Sequence, residues 1–98
     1  MRLQFDEEAL RQVCLNYGIR WLALFGSVLR EDFGPDSDVD VLVEFAPDVK
    51  VGLLRFVAVA EALESVFGRK VDLVTLDGPS PYLRAHVLRT CRVIYDDR

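Results

Sequence analysis

Two aspartates separated by one residue, Asp38 and Asp40, are the part of the sequence best suited to metal chemistry. They lie in a run, residues 38–45, in which polar and apolar residues alternate at its start as in a β-strand. Because side chains alternate faces along a strand, both carboxylates project from one face, about 7 Å apart at about 3.3 Å per residue. Carboxylates of this kind suit Mg²⁺, which proteins hold with one or two carboxylates and the phosphates of a substrate.

A Gly-Ser pair, Gly26 and Ser27, precedes Asp38 by ten intervening residues and ends the apolar run 21–25. This order is typical of a turn from a strand into a helix. Glycine lets a ligand approach the backbone closely, and the start of a helix offers free N–H groups to an anion. Ser27 could bond a phosphate through its hydroxyl and main-chain N–H, or it could cap the following turn.

A third carboxylate, Asp72, lies in the otherwise apolar run 70–76, where an unpaired charge is costly. Strand pairing could bring it opposite Asp38 and Asp40. Three converging carboxylates repel one another, which is tolerable with bound cations or shifted pKa values. The set therefore indicates two-metal phosphoryl chemistry, with Asp72 as a further ligand or as general base. A strand end facing solvent is the structural alternative.

Several cationic residues near these positions have more than one interpretation. Arg30 follows Ser27 by about one turn and could clamp a phosphate oxygen, or it could form a surface ion pair with Glu31 or Asp32. Arg69 and Lys70 could offset the acidic cluster or mark a solvated strand start. On the last predicted helix, Arg84 could reach a nucleotide or a partner, and His86, the single histidine, is expected at the surface or an interface.

The composition limits the classes of protein to be considered. The chain has 98 residues, 51% of them hydrophobic, and a formal net charge of −4. We expect one domain, residues 1–98. Scattered basic residues do not favour general nucleic-acid binding, which usually uses a basic patch. No apolar stretch approaches the ~20 residues of a membrane span, and the N-terminal residues lack the order of a signal peptide, so we expect a cytoplasmic protein without membrane association.

The two cysteines, Cys14 and Cys91, have neither the number nor the spacing of a disulfide framework or a zinc site. We expect both to be buried small apolar residues within helices.

Caps, breakers and apolar periodicity predict the element order α-β-turn-β-α-β-α-β. This order predicts an α/β (α+β) fold with a small mixed sheet and flanking helices. The short connection between the first two strands favours their antiparallel pairing. The predicted helices are 7–17, 51–67 and 81–89, opened by 79–81; the predicted strands are 20–25, 38–45, 70–76 and 93–95; a helical turn at 27–31 and a loop at 32–37 lie between the first two strands.

The helix predicted at 51–67 has apolar residues on more than one stripe. An apolar girdle of this width is usually buried on two sides. In one small domain the second side is either a protein interface, for a homodimer or a hetero-oligomer, or is wrapped by the domain itself.

Taken together, these motifs resemble the minimal nucleotidyltransferases, the smallest members of the DNA polymerase β-like superfamily. The resemblance spans nearly the whole chain, and the spaced G-S…D-x-D signature is specific, whereas a lone D-x-D would be weak. It rests on four segments: Leu24-Phe25-Gly26-Ser27, Asp38-Val39-Asp40, Val71-Asp72-Leu73-Val74 and Pro81-x-Leu83-Arg84.

The resemblance implies a polymerase β-like palm with a defined set of site residues. Asp38 and Asp40 would bind two Mg²⁺ ions, and Asp72 would complete the catalytic triad. Gly26 and Ser27 would hold the nucleoside triphosphate, with ATP as the family expectation. Arg30 matches the usual arginine of the motif. Many members carry a basic residue directly after the Gly-Ser pair, where this chain has Val28.

The resemblance also implies a partner. Such small proteins often act as antitoxins beside a HEPN-domain toxin, and some transfer AMP from ATP to a tyrosine of that toxin. Nucleic-acid polymerases on this fold need further domains, so an acceptor surface from another protein is expected here. Two alternatives stay open: a module that neutralises its partner by occlusion alone, and nucleotidyl transfer to a small molecule or an RNA end.

Overall fold

The computed structural model describes residues 3–30, 34, 36–75 and 81–98, without the side chains of residues 81–83. Helices and strands follow in the predicted order, and the α/β class is confirmed. The predicted positions 31–33, 35, 76 and 79–80 lie outside the described residues. The elements are α1 (Glu7–Tyr17), β1 (Ile19–Phe25), a 3₁₀ turn (Gly26–Leu29), β2 (Val39–Phe45), α2 (Leu53–Phe67), β3 (Val71–Thr75), α3 (Pro81–Thr90) and β4 (Arg92–Asp96).

The first helix has caps at both ends, as the sequence predicts. The Asp6 carboxylate accepts hydrogen bonds from the main-chain N–H groups of Glu8 and Ala9, at 2.9 and 3.3 Å, which satisfies donors that the first turn leaves unpaired. At the other end Gly18 adopts a left-handed conformation with φ of 71°, and its N–H donates to the Cys14 carbonyl. Glycine allows this helix ending without a steric penalty.

The four described strands form one mixed sheet in the order β3-β2-β1-β4. β1 pairs antiparallel with both β2 and β4, which confirms the predicted pairing of the first two strands. β2 and β3 are parallel and are connected through α2. This crossover places the start of β2 beside the start of β3, so the aspartates of both strands lie at the same end of the sheet.

Helices cover both faces of the sheet. On one face, the β2 residues Val39, Val41 and Val43 are at most 1% exposed and pack in a core with α1 and α2. On the other face, Leu42 is 1% exposed and lies in a second cluster with Val87 of α3. The face that carries the aspartates is therefore apolar further along the strand, where α3 covers it.

The structure differs from two expectations of the sequence. α2 begins at Leu53 rather than at residue 51, since the extended Gly52 precedes its first turn. Cys91 is half-buried and lies after the last residue of α3, not within a helix, because the chain turns there into β4. Cys14 is buried as expected, and burial raises the pKa of its thiol to about 12.

The first half of α2 presents an exposed apolar surface. Leu53 and Leu54 are 78% and 88% exposed, and Val51 and Val57 flank them with partial exposure. Val59, further along the helix, is fully buried in the core. A helix wrapped on all sides by its own domain is thus wrong for this half of α2, whereas its use as an interface stays a prediction.

No helix in the described ranges combines the length and the apolar character needed to cross a membrane. α2 has 15 residues.

Candidate active site

The strand register places the aspartates side by side. Asp40 of β2 pairs with Asp72 of β3 on one side and with Phe25 of β1 on the other. Neighbouring strands in a sheet lie about 4.7–4.9 Å apart. Asp38 lies one residue before β2 and is close enough to Asp40 to affect its ionisation. The prediction that strand pairing brings Asp72 opposite the D-x-D motif is confirmed.

Gly26 lies directly beneath the Asp40 carboxylate. Its φ is +71°, a conformation that residues with a side chain rarely adopt. A Cβ atom added at this position would overlap Oδ2 of Asp40. The absence of a side chain at residue 26 is therefore what lets the carboxylate approach the turn.

Ser27 lies against the aspartate segment. Its hydroxyl donates to the Asp38 carbonyl at 3.3 Å, and its main-chain N–H acts to lower the pKa of Asp40. The alternative in which Ser27 caps the next turn is wrong, because the turn begins at Gly26 and has no side-chain cap. These contacts depend on residues eleven or more positions apart, so no local sequence signal could have indicated them.

Burial and neighbouring carboxylates both raise the pKa of Asp40. Burial is the largest cause that raises the pKa of this carboxyl above its ordinary value, and the neighbouring Asp72 and then Asp38 raise it further. The Ser27 N–H and the Arg30 guanidinium act in the opposite direction. A bound cation would relieve both the repulsion and the cost of burial.

Arg30 lies directly after the 3₁₀ turn. Its main-chain N–H donates to the Ser27 carbonyl at 3.0 Å, and its side chain is exposed and electrostatically coupled to Asp40. This position fits the predicted phosphate clamp. Glu31 and Asp32, the ion-pair partners considered as the alternative, lie outside the described residues.

The donor set fits Mg²⁺, which prefers hard oxygen ligands. Asp38 and Asp72 are exposed, and Asp40 is half-buried between them and the Gly-Ser turn. Within the described ranges, no three acidic, histidine or cysteine side chains are already drawn together into a ligand shell. Mutual repulsion favours spread carboxylates, and the two exposed side chains are not held by packing, so they can turn toward an ion.

Residues before β3 also contribute to this end of the sheet, which sequence reasoning left largely open. The Lys70 carbonyl accepts the Val39 N–H at 2.8 Å, and the Arg69 guanidinium donates to carbonyls of the segment before Asp38. The Glu64 carboxylate of α2 accepts the Val71 N–H at 3.1 Å. Neither Arg69 nor Lys70 was assigned these contacts, because they join segments more than thirty residues apart.

The remaining candidates lie on α3. His86 and Arg84 have exposed side chains. The exposure of His86 agrees with its expected surface position.

The larger of two cavities does not lie at the aspartates. A cavity of about 690 Å³ lies at the far end of β2, lined among others by Phe45, Val49 and Phe56. A smaller cavity of about 360 Å³ adjoins Asp38, between the segments that precede β2 and β3. The larger cavity adjoins the exposed start of α2 and not the carboxylates. The candidate active site is the one defined by the aspartates.

A glycine-serine turn held against paired aspartates on a small mixed sheet defines the class of nucleotidyl-transferring enzymes. A family model described as a nucleotidyltransferase domain matches residues 7–98. The protein adenylyltransferase MntA of Thermococcus cleftensis is 38% identical over 81% of this chain and 76% of its own length. The chain therefore belongs to the nucleotidyltransferase domain family.

Solved structures agree with this assignment. One assigned as a minimal nucleotidyltransferase is 38% identical and superimposes with a TM-score of 0.71, covering 87% of this chain and 85% of that one. Another contains a tri-AMPylated HEPN toxin of Shewanella oneidensis in complex with its MNT antitoxin. It has a TM-score of 0.64 at 22% identity, covering 92% of this chain and 69% of that one. At that identity the likeness shows the fold alone.

Proposed function

We propose that this enzyme transfers AMP from ATP to a tyrosine hydroxyl of a HEPN-domain toxin in the presence of Mg²⁺, and thereby acts as the antitoxin. The juxtaposition of Asp40 and Asp72 beside the Gly26–Ser27 turn carries the proposal. The name of the Thermococcus relative, a protein adenylyltransferase, supports the protein acceptor. The solved complex of a HEPN toxin with an MNT antitoxin supports a HEPN toxin as the partner.

Each site residue has a proposed role in this transfer. Asp38 and Asp40 hold the metal, with Asp72 as a further ligand or as the base that takes the proton of the acceptor hydroxyl. The main chain at Gly26 and Ser27 lies against the triphosphate, and Arg30 binds a phosphate oxygen. Bound Mg²⁺ would supply the positive charge that neutralises the phosphates and the leaving group.

The reaction is a displacement at the α-phosphorus of ATP. A bond forms between the tyrosine oxygen and that phosphorus, and the bond to the oxygen bridging the α- and β-phosphates breaks. Pyrophosphate leaves with the electron pair of the broken bond, and the hydroxyl proton passes to a carboxylate at the site.

The intact mass of the partner toxin, before and after incubation with this protein, ATP and Mg²⁺, tests the proposal. We expect a gain of one or more adenylyl units with the wild type. The Asp38→Asn/Asp40→Asn variant should give none, because it removes the charge that holds the metal without changing side-chain size. Transfer by that variant at the wild-type rate would contradict the mechanism.

A second candidate, neutralisation by binding alone, is favoured by the exposed apolar residues of α2. The same double variant distinguishes the two candidates. If it still protects cells from the toxin, occlusion is sufficient. If protection is lost while the complex still forms, catalysis is required.

A further inference from the structure

Arg69 connects two segments that each carry a site aspartate. Its Nη1 donates to the Gly34 carbonyl and, at 3.5 Å, to the Ser37 carbonyl. Arg69 is half-buried and lies three residues before Asp72 in the chain. Ser37 directly precedes Asp38. Nη1 of a guanidinium carries two N–H groups, so this one nitrogen can donate to both carbonyls.

The segment whose carbonyls accept hydrogen bonds from Arg69 has two internal hydrogen bonds of its own. The Ser37 N–H donates to the Gly34 carbonyl at 3.1 Å, and the Gly34 N–H donates to the Ser37 hydroxyl at 3.1 Å. These reciprocal bonds hold the two carbonyls together on a compact turn. Arg69 therefore binds a turn that is already held by its own hydrogen bonds. Loss of the Arg69 side chain would release this turn from the start of β3.

The main chain around Asp38 is fixed from three directions. The carbonyl before it, that of Ser37, is held by Arg69; its own carbonyl accepts the Ser27 hydroxyl. The following N–H, that of Val39, donates to the Lys70 carbonyl. The Asp38 side chain itself is exposed. Since packing does not place this carboxylate, its position depends on the main chain that these bonds hold.

The segment on the other side is also restrained. β3 lies at the edge of the described sheet, and the Glu64 carboxylate accepts the N–H of its first residue, Val71. Arg69 thus extends from a fixed strand start toward the turn before β2. Its contacts hold the turn that precedes Asp38 against the start of β3, before the point where β2 and β3 begin to pair.

We propose that Arg69 is a positioning residue for the metal carboxylates, because it holds the turn that leads into Asp38 against the start of β3. The inference depends on the proposed metal site. Arg69 acts through Asp38 and does not itself need to contact the metal or the nucleotide.

Mn²⁺ binding, followed by electron paramagnetic resonance with a non-hydrolysable ATP analogue, tests this role apart from turnover. Outer residues that orient metal ligands typically contribute 10–100-fold to affinity. We expect Arg69→Gln to weaken Mn²⁺ binding about tenfold, at the lower end of that range. Arg69→Lys should give intermediate affinity, since an ammonium group can also donate to carbonyls but is more strongly hydrated and lies on a flexible stem.

Arg55 offers a matched control. Its Nη1 donates to a main-chain carbonyl, that of Tyr17, at 3.2 Å. Arg55→Gln therefore removes the same kind of hydrogen bond away from the aspartates. We expect it to leave Mn²⁺ affinity within twofold of the wild type, with thermal unfolding recorded for each variant to confirm that it is folded.

The outcomes separate this inference from the proposed function. If Arg69→Gln is folded and binds Mn²⁺ as the wild type does, Arg69 has no positioning role, although the metal site stands. If the wild type binds no more Mn²⁺ than Asp38→Asn/Asp40→Asn, the metal site itself is wrong and the inference is overturned with it. Should Arg69→Gln fail to fold, Arg69→Lys decides, because it changes the donor group and keeps the charge: wild-type affinity in that variant also overturns the proposal.

Discussion

At Gly26, the backbone conformation and a neighbouring side chain both require a residue without a Cβ atom. The residue has a positive φ, and the space where a Cβ would project contains the Asp40 carboxylate. Gly68 has nearly the same φ, +67°, but nothing lies within 4 Å of a Cβ added there. Comparing the two positions separates the backbone cost of an alanine from its effect on the site.

We expect Gly26→Ala and Gly68→Ala to lose similar stability, roughly 1–2 kcal/mol for a left-handed residue with a Cβ. Only Gly26→Ala should abolish adenylyl transfer, because its methyl group displaces Asp40 from the turn. Urea unfolding, monitored by the fluorescence of the single tryptophan, gives the stabilities, and partner mass gives the activity. Wild-type transfer by Gly26→Ala would show that the Asp40 position over the turn is not needed.

Sequence patterns indicate the site residues but not the contacts that hold them in place. The types and spacing of Asp38, Asp40 and Asp72 indicated that strand pairing could place Asp72 opposite the D-x-D motif, and the register confirms this. The contacts that hold them were not predictable: the Ser27 hydroxyl and the Arg69 guanidinium bind carbonyls of residues distant in sequence. In the sequence, a serine or arginine that positions a site looks the same as one on the surface. Only the fold distinguishes the two.

For helices and strands, local sequence signals were sufficient to predict that each element exists and roughly where it begins and ends. α1 is bounded by the Asp6 cap and by Gly18, both visible in the sequence. The burial of Leu42 on the aspartate face was not visible, because the helix that covers it, α3, follows some forty residues later. Alternation along β2 therefore predicted one buried face, whereas the second face is buried only by tertiary packing.

The exposed start of α2 leads to a prediction about assembly. If Leu53 and Leu54 contact the toxin, Leu53→Glu/Leu54→Glu should weaken the complex at least tenfold, since buried charges without partners strongly disfavour an interface. Leu15 of α1 is 53% exposed and provides the control. Leu15→Glu should leave affinity unchanged. Binding measured by calorimetry checks both, and wild-type affinity in the double variant would exclude this face as the interface.

At the scale of the whole molecule, the acidic cluster links the site to folding stability. The pKa of Asp40 is raised in the folded protein. Its neutral form is therefore favoured by the fold, and its contribution to stability is present at low pH and is lost as pH rises through the raised pKa. At neutral pH the charged carboxylate opposes folding, and a bound cation would remove this opposition.

Asp40→Asn should accordingly raise the melting temperature of the metal-free protein at pH 7. Asn keeps an oxygen for the Ser27 N–H and removes the charge. The rise should be small, no more than the shift of about 4–8 °C that roughly 1 kcal/mol produces in a domain of this size, because Asp40 is partly exposed and solvent screens it. The difference should shrink as pH falls toward 4. Asp48→Asn, which removes an exposed charge in the turn after β2, is the control and should show no such trend.

Mg²⁺ with a non-hydrolysable ATP analogue should reverse the order of the two melting temperatures. Ligand at about ten times its dissociation constant stabilises the wild type by about 1.4 kcal/mol, whereas Asp40→Asn lacks a charge needed to hold the metal. Calorimetric scans of both proteins with and without Mg²⁺ make the comparison. A lower melting temperature for metal-free Asp40→Asn at pH 7 would mean that Asp40 supports the fold. The charge of the acidic cluster would then not destabilise the metal-free fold, and metal binding would have no such destabilisation to relieve.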